Sequence, residues 1–122
     1  MTTSEPRDLA LQALYQADRT GDPGDISRLP VKARRLVEGV MAHIDELDET
    51  IGLASDHWSI DRMPVIDRAI IRLGLYELRY VPGTPAAVIV NEAVRLAKTY
   101  STQRSGVFVN GVLASLAETE RP

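Results

Sequence analysis

Residues 64–80 read PVIDRAIIRLGLYELRY, and this stretch decides the fold. A helix is predicted to begin after Pro64 and to end before Pro82, because proline is tolerated at helix starts and breaks helix interiors. Its apolar residues cover two sides of the helix. They are Ile66, Ala69, Ile70, Leu73 and Tyr76 on one side and Ile71, Leu75 and Leu78 on the other. A helix that is apolar on both sides is normally packed by neighbours on each, so this one is predicted to be central.

The charged residues of the central helix fall into two groups. Arg68, Arg72 and Arg79 lie within about 40° of each other and form one basic line along it. Asp67 and Glu77 project among apolar positions. Because an unpaired buried carboxylate is costly, we expect each of these two to have a partner.

Further helices are predicted on both sides of this stretch. A first helix begins at the Ser4 cap and ends at Gly21, with Asp8, Gln12 and Tyr15 on its polar arc. A long apolar seam follows Pro30 and runs to Trp58 with spacings of three and four. The last two helices are predicted over about 85–100, capped by Thr84, and about 105–117, after a polar loop over 101–106. Gly111, inside the last helix, predicts a close approach of a neighbouring helix.

These patterns predict one domain over residues 1–122, an all-α bundle of five to seven helices in two sequential groups. Residues 1–5 are expected to be a flexible arm and residues 118–122 a flexible tail. The chain has 122 residues, of which 44% are hydrophobic and 25% charged, as in a globular protein. No secretory signal and no apolar run of the ~20 residues that span a membrane is present, so we expect a cytoplasmic protein without a membrane partner.

The common catalytic and metal-binding patterns are missing. Cysteine is absent, which excludes disulfides and thiolate sites. His43 and His57 are fourteen residues apart and lack the spacing of a zinc pair. The acidic residues over 45–49 follow one helix face and are interpreted as solvated. We therefore expect no enzyme activity, no metal and no cofactor.

Charge leaves nucleic-acid binding open. The net charge is −3, but residues 62–104 hold seven basic against three acidic side chains and could present a basic face. Lys32, Arg34 and Arg35 lie at a helix start, against the dipole preference, and indicate either a binding role or a solvated helix end. Phe108, at the first turn after Gly106, is either a core residue or a partly exposed aromatic that stacks on unpaired bases.

Five stretches in order carry a family resemblance. They are residues 10–16 (ALQALYQ), 36–40 with 44–48 (LVEGV and IDELD), 66–78 (IDRAIIRLGLYEL), 90–98 (VNEAVRLAK) and 108–113 (FVNGVL). The chain resembles the NusB family through these stretches, from about residue 7 to residue 116.

The resemblance implies an all-helical protein of transcription antitermination, chiefly on ribosomal RNA operons. It implies binding of a short single-stranded boxA RNA together with the ribosomal protein NusE, in a complex with RNA polymerase and other Nus factors. The positions that match the RNA surface are Arg7, Gln12, Tyr15, Phe108 and Asn110, and Lys98 is added to this set because of the helix face on which it lies. Asp61 and Asp67 match the NusE surface.

One departure from the family pattern affects function. Family members typically carry several arginines before the first helix, whereas this chain has the lone Arg7. Because each lost phosphate contact lowers affinity, we expect weak RNA binding by the chain alone and a need for NusE. The alternative is a protein-only interaction module that has kept the fold and lost RNA binding. A third hypothesis is the NusB-like domain of ribosomal RNA cytosine methyltransferases. It is not favoured, because 122 residues leave no room for the catalytic domain.

Overall fold

The computed structural model describes residues 5–55 and 59–122, which hold six α-helices, two single-turn 3-10 helices and no strand. The helices are α1 (Pro6–Thr20), α2 (Val31–Ala42), α3 (Ile44–Ala54), α4 (Val65–Tyr80), α5 (Ala86–Tyr100) and α6 (Gln103–Glu120), with the 3-10 turns at Ile26–Arg28 and Ile60–Arg62. The predicted all-α bundle is confirmed. Within the described ranges, none of these helices combines the length and the apolar character that crossing a bilayer requires.

Helix α4 is the centre of the bundle, as its sequence predicts. It packs against each of the other five helices, and Ile70, Ile71 and Leu75 are completely buried. One close helix approach lies at Gly74, where a Cβ atom would come 2.7 Å from Leu113 Cδ1 of α6. The prediction of a close approach at Gly111 is wrong, because nothing lies within 4 Å of a Cβ built there.

The apolar seam after Pro30 forms two helices rather than one. The chain turns at His43, whose N–H donates to the carbonyls of Gly39 and Val40 at 3.2 Å. Asp45 and Glu46 then occupy the first turn of α3, where the helix dipole favours acidic side chains. The turn lets α2 pack on α1 and α4 while α3 packs on α4 and α6. Trp58, the predicted end of the seam, lies outside the described residues.

The ends of α1 and α5 follow local rules. Helix α1 begins at Pro6, whose missing N–H costs nothing at that position. It ends at Gly21, which has φ +85° and donates to Ala17 O at 2.8 Å. This left-handed conformation favours glycine. Helix α5 begins after Pro85, one residue later than predicted, and Ser4, the predicted cap of α1, lies outside the described residues.

Helix α6 is longer at both ends than the sequence predicts. Thr102 Oγ1 accepts a hydrogen bond from the Ser105 N–H at 3.0 Å, so the helix begins within the predicted polar loop. It continues to Glu120, and Arg121 then donates to the carbonyls of Leu78 and Thr84 at 2.8 Å. Residues 118–120 of the segment expected to be a tail thus belong to α6.

Candidate nucleic-acid interface

The Asp8 side chain links the first turn of α1 to the end of α5 by hydrogen bonds. Its carboxylate accepts hydrogen bonds from Arg95 Nη2 at 2.7 Å and from Tyr100 Oη at 2.8 Å, and the residue is 1% exposed. Burial disfavours its charged form, but these two donors outweigh burial and keep the pKa of Asp8 below its ordinary value. The sequence prediction that Asp8 lies on the exposed arc of α1 is wrong. Its role is to orient α1 against α5.

Arg7, predicted to contact RNA, is half-buried and paired with acids of other helices. Its Nε and Nη2 atoms donate to the two carboxylate oxygens of Glu77 on α4, both at 2.8 Å, and Nη1 lies 3.6 Å from Glu92 on α5. This pair supplies the partner expected for Glu77, and the hydrogen bonds to Glu77 raise the pKa of the Arg7 guanidinium. A phosphate contact by Arg7 would have to replace this pair.

Gln12 and Tyr15 are accessible on α1. Gln12 is exposed, and Tyr15 is half-buried with the Arg19 guanidinium 5.5 Å from its ring centroid. Tyr15 is seven residues after Asp8 and therefore lies on the same side of the helix. The structure thus presents a tyrosine ring with a cation over it on the side of α1 that carries Asp8.

The start of α6 supplies the second aromatic residue. Phe108 is half-buried and packs against the core. One part of its ring therefore acts as a core residue, and the other part is exposed, as a stacking residue requires. Arg104 lies one turn before Phe108 on the same face, is exposed and has no ion pair within residues 5–55 and 59–122. Sequence reasoning missed Arg104, although its four-residue spacing from Phe108 was a usable signal.

Lys98 and Asn110 lie on another face of the same region. The aliphatic stem of exposed Lys98 covers Gly106, where a Cβ atom would meet Lys98 Cγ at 3.1 Å. Asn110 is exposed one turn after Gly106. The structure therefore brings Lys98 to the α6 face that carries Asn110, while Phe108 points about 160° away from Asn110.

The basic line of α4 is neutralised inside the bundle. Each of its arginines pairs with an acid of another helix at 2.7 Å: Arg68 with Asp18, Arg72 with Asp48 and Arg79 with Glu120. Of the seven basic side chains over 62–104, Arg62, Lys98 and Arg104 are exposed, whereas the other four are paired with acids. In the described part of the chain, the exposed cations that have neither an ion pair nor a ring contact are Arg28, Lys32, Arg35, Arg62, Lys98 and Arg104.

The two residues matched to the NusE surface differ in exposure. Asp61 is exposed in the second 3-10 turn. Asp67 is 2% exposed in the first turn of α4, and its Oδ1 has no hydrogen-bond partner among the described residues. The expected partner of Asp67 is thus not found there, although the positive end of α4 favours its charge.

His43 takes part in packing. Its ring stacks on Tyr80 with centroids 4.3 Å apart, and its Nδ1 lies 2.8 Å from Glu46 Oε1. His57 lies outside the described residues. Within residues 5–55 and 59–122, no group of three or more histidine, aspartate or glutamate side chains is arranged to hold a metal ion.

Comparison with known proteins gives full-length matches. Residues 4–118 match the model of the NusB family. A protein of Lysinibacillus sphaericus named transcription antitermination protein NusB is 39% identical over 98% of this chain and all of its own length. The Streptomyces griseus protein of the same name is 44% identical over 91% of this chain and 88% of its own.

Solved structures agree with the sequence comparison. NusB of T. maritima superimposes with a TM-score of 0.88 at 32% identity, covering 100% of this chain and 96% of that one. A chain of a crystal structure of antitermination factors NusB and NusE in complex with dsRNA gives a TM-score of 0.83 at 29% identity. That match covers 95% of this chain and 96% of the other.

Proposed function

The chain belongs to the NusB family, and on this premise we propose that it is a transcription antitermination factor that supports ribosomal RNA transcription. It binds boxA-like single-stranded RNA together with the ribosomal protein NusE, and acts in the cytoplasm within an RNA polymerase complex that holds other Nus factors. Full-length similarity to proteins named transcription antitermination protein NusB carries the proposal. The chain acts by binding and not by catalysis.

The proposed RNA surface runs from α1 around the start of α6, with Phe108 and Arg104 on one face of that helix and Lys98 and Asn110 on the other. Tyr15 and Phe108 supply aromatic faces, and stacking on such faces contributes about 1–3 kcal/mol per base. Lys98 and Arg104 supply cations for phosphate groups. The exposed amides of Gln12 and Asn110 can donate to and accept from base edges. Asp61, which is exposed in the 3-10 turn before α4, is the proposed NusE contact.

This surface supports only modest affinity by itself. Two stacking residues and two cations make few contacts, and Arg7 is held by Glu77. A second RNA-binding protein bound to the same chain raises the effective concentration of RNA at the surface and turns two weak contacts into one strong complex. NusE is proposed to act in this way.

Fluorescence anisotropy with labelled RNA tests the proposal at one stated salt concentration. We expect weak binding of boxA-like single-stranded RNA by the chain alone and markedly tighter binding once NusE is added. Tyr15→Ala and Phe108→Leu should each weaken the ternary complex by about 1–3 kcal/mol and leave NusE binding intact. Phe108→Leu is preferred to alanine because it retains apolar packing against the core.

Two comparisons make the result decisive. Leu53→Ala, which removes an 80% exposed apolar side chain on α3, should bind like the parent. A duplex of the same sequence is measured in parallel, since the related complex contains dsRNA. If NusE binds but the RNA signal does not rise above that of NusE alone, the protein-only module is the correct interpretation.

A further inference from the structure

Two unpaired cations lie together at the start of α2. Lys32 and Arg35 are three residues apart and share one face of the helix. Both are exposed, and neither forms an ion pair with any residue in the described ranges, unlike the arginines of α4. Their charge is therefore available at the surface.

Lys32 and Arg35 border a groove of about 540 Å³ between the start of α1, the start of α2 and the end of α4. Tyr76 and Tyr80 line its α4 side with ring centroids 5.4 Å apart. The volume lies within the about 300–1,000 Å³ of clefts that take small ligands. The groove thus offers a cationic edge and an aromatic wall at the scale of a nucleotide.

The charges around the groove favour an anion. Glu77 is compensated by Arg7, whose guanidinium it holds at 2.8 Å. Of the remaining lining charges, Lys32 and Arg35 are positive and Glu5 is negative. The groove therefore keeps a net positive charge at its open side.

The groove adjoins the proposed RNA surface. The first turn of α1 forms one of its walls through Pro6 and Arg7. On its other side, the same turn is fastened through Asp8 to Arg95 and Tyr100 of α5. An RNA strand that crosses this single turn of helix passes from the α5–α6 region into the groove.

We propose that this groove binds RNA that flanks the boxA-like segment, with Lys32 and Arg35 contacting its phosphate groups and the tyrosine wall contacting one sugar or base. The proposal rests on the RNA binding proposed above and extends it to nucleotides outside the core element. It assigns recognition of RNA length, rather than of sequence, to the start of α2.

Anisotropy with three RNAs in the presence of NusE tests the proposal: the core element, the core with a 5′ flank and the core with a 3′ flank. One flanked RNA should bind more tightly than the core. Lys32→Gln/Arg35→Gln should abolish that gain, lower the salt slope for the flanked RNA by about 1.4, at about 0.7 per contact, and leave the core RNA unaffected. If the parent chain with NusE does not bind the core RNA, that result contradicts the proposed function instead.

Arg28→Gln/Arg34→Gln is the matched control. It removes the same charge from the same region, and neither side chain lines the groove. The proposal is overturned if this control loses as much affinity for flanked RNA as the groove variant, or if neither flank raises affinity. It is also overturned if the groove variant weakens NusE binding alone, because the groove would then be a protein-binding surface. Circular dichroism and thermal melting verify that both variants fold.

Discussion

At the scale of single residues, identical residue types have different roles because their neighbours differ. Gly39 and Gly111 both lie inside helices, α2 and α6. A Cβ atom at Gly39 would overlap the ring and hydroxyl of Tyr76, whereas a Cβ atom at Gly111 would meet nothing within 4 Å. Gly39 is therefore required for packing, and Gly111 only loosens its helix.

Alanine at these two positions should have opposite effects. Gly39→Ala is expected to destabilise the protein by about 1–3 kcal/mol, as overpacking does. Gly111→Ala should stabilise it by up to about 1 kcal/mol, because alanine lowers the entropy lost on helix formation. Urea denaturation measures both. In a Tyr76→Ala background, Gly39→Ala should no longer be unfavourable, and a cost that persists there would show that Tyr76 is not the cause.

At the scale of elements, the central position of α4 determines both its apolar and its charged residues. Its leucines and isoleucines meet neighbours on all sides, and its arginines cross to acids on α1, α3 and α6. Each of these ion pairs joins α4 to another helix, so together they set the orientation of the helices around α4. A partly buried pair of this kind indicates specificity of packing more than net stability.

Truncation of the α4 core tests this arrangement. Ile70 is completely buried, and Ile70→Ala should cost about 2–5 kcal/mol of unfolding free energy through lost burial and a cavity. Val107, 76% exposed on α6, is the control, and Val107→Ala should change stability by less than about 0.5 kcal/mol. If chemical denaturation shows that Ile70→Ala loses no more unfolding free energy than the control, that side of α4 faces water and the central position of the helix is wrong.

At the scale of the whole molecule, acidic side chains with lowered pKa values connect the helices. The Tyr80 hydroxyl, His43 and Arg79 all bond Glu46, the hydroxyl at 2.7 Å, and they lower the pKa of Glu46 to about 2. Asp8, through Arg95 and Tyr100, and Glu120, through Arg79, also have pKa values below the ordinary range. As the pH falls through the unfolded pKa values of these carboxyl groups, the unfolded chain therefore binds more protons than the folded chain.

Stability should accordingly fall in acid. The contribution of Glu46 is complete above its unfolded pKa of 4.5 and is lost as the pH falls toward about 2. Thermal melting from pH 6 to about pH 2 should show a decreasing Tm that begins near the unfolded carboxylate pKa values. Glu46→Gln should flatten part of that decrease, and Glu49→Gln, exposed on the same helix, should retain it. Superimposable profiles of Glu46→Gln and the parent would contradict this assignment.

The helices and the family could be predicted from the sequence because the signals are local. Apolar residues at spacings of three and four identify a helix within a few turns, and the two-sided pattern over 64–80 identifies its central position. The resemblance likewise needs only the order of short stretches. Gln12 was placed on an exposed face of α1 by periodicity alone, and the structure agrees, whereas on the same face Tyr15 is half-buried and Asp8 is buried.

Only the tertiary structure decided which charges are available to a ligand. Arg7 meets Glu77 across 70 positions of the chain, and Asp8 meets Tyr100 across 92. Helical periodicity gives the side of a helix on which a residue lies and says nothing about the residue opposite it. The break at His43 and the burial of Asp67 belong to the same class, because each depends on how helices pack around α4. Local sequence therefore determined the helices of this protein, and long-range packing determined its surface charge.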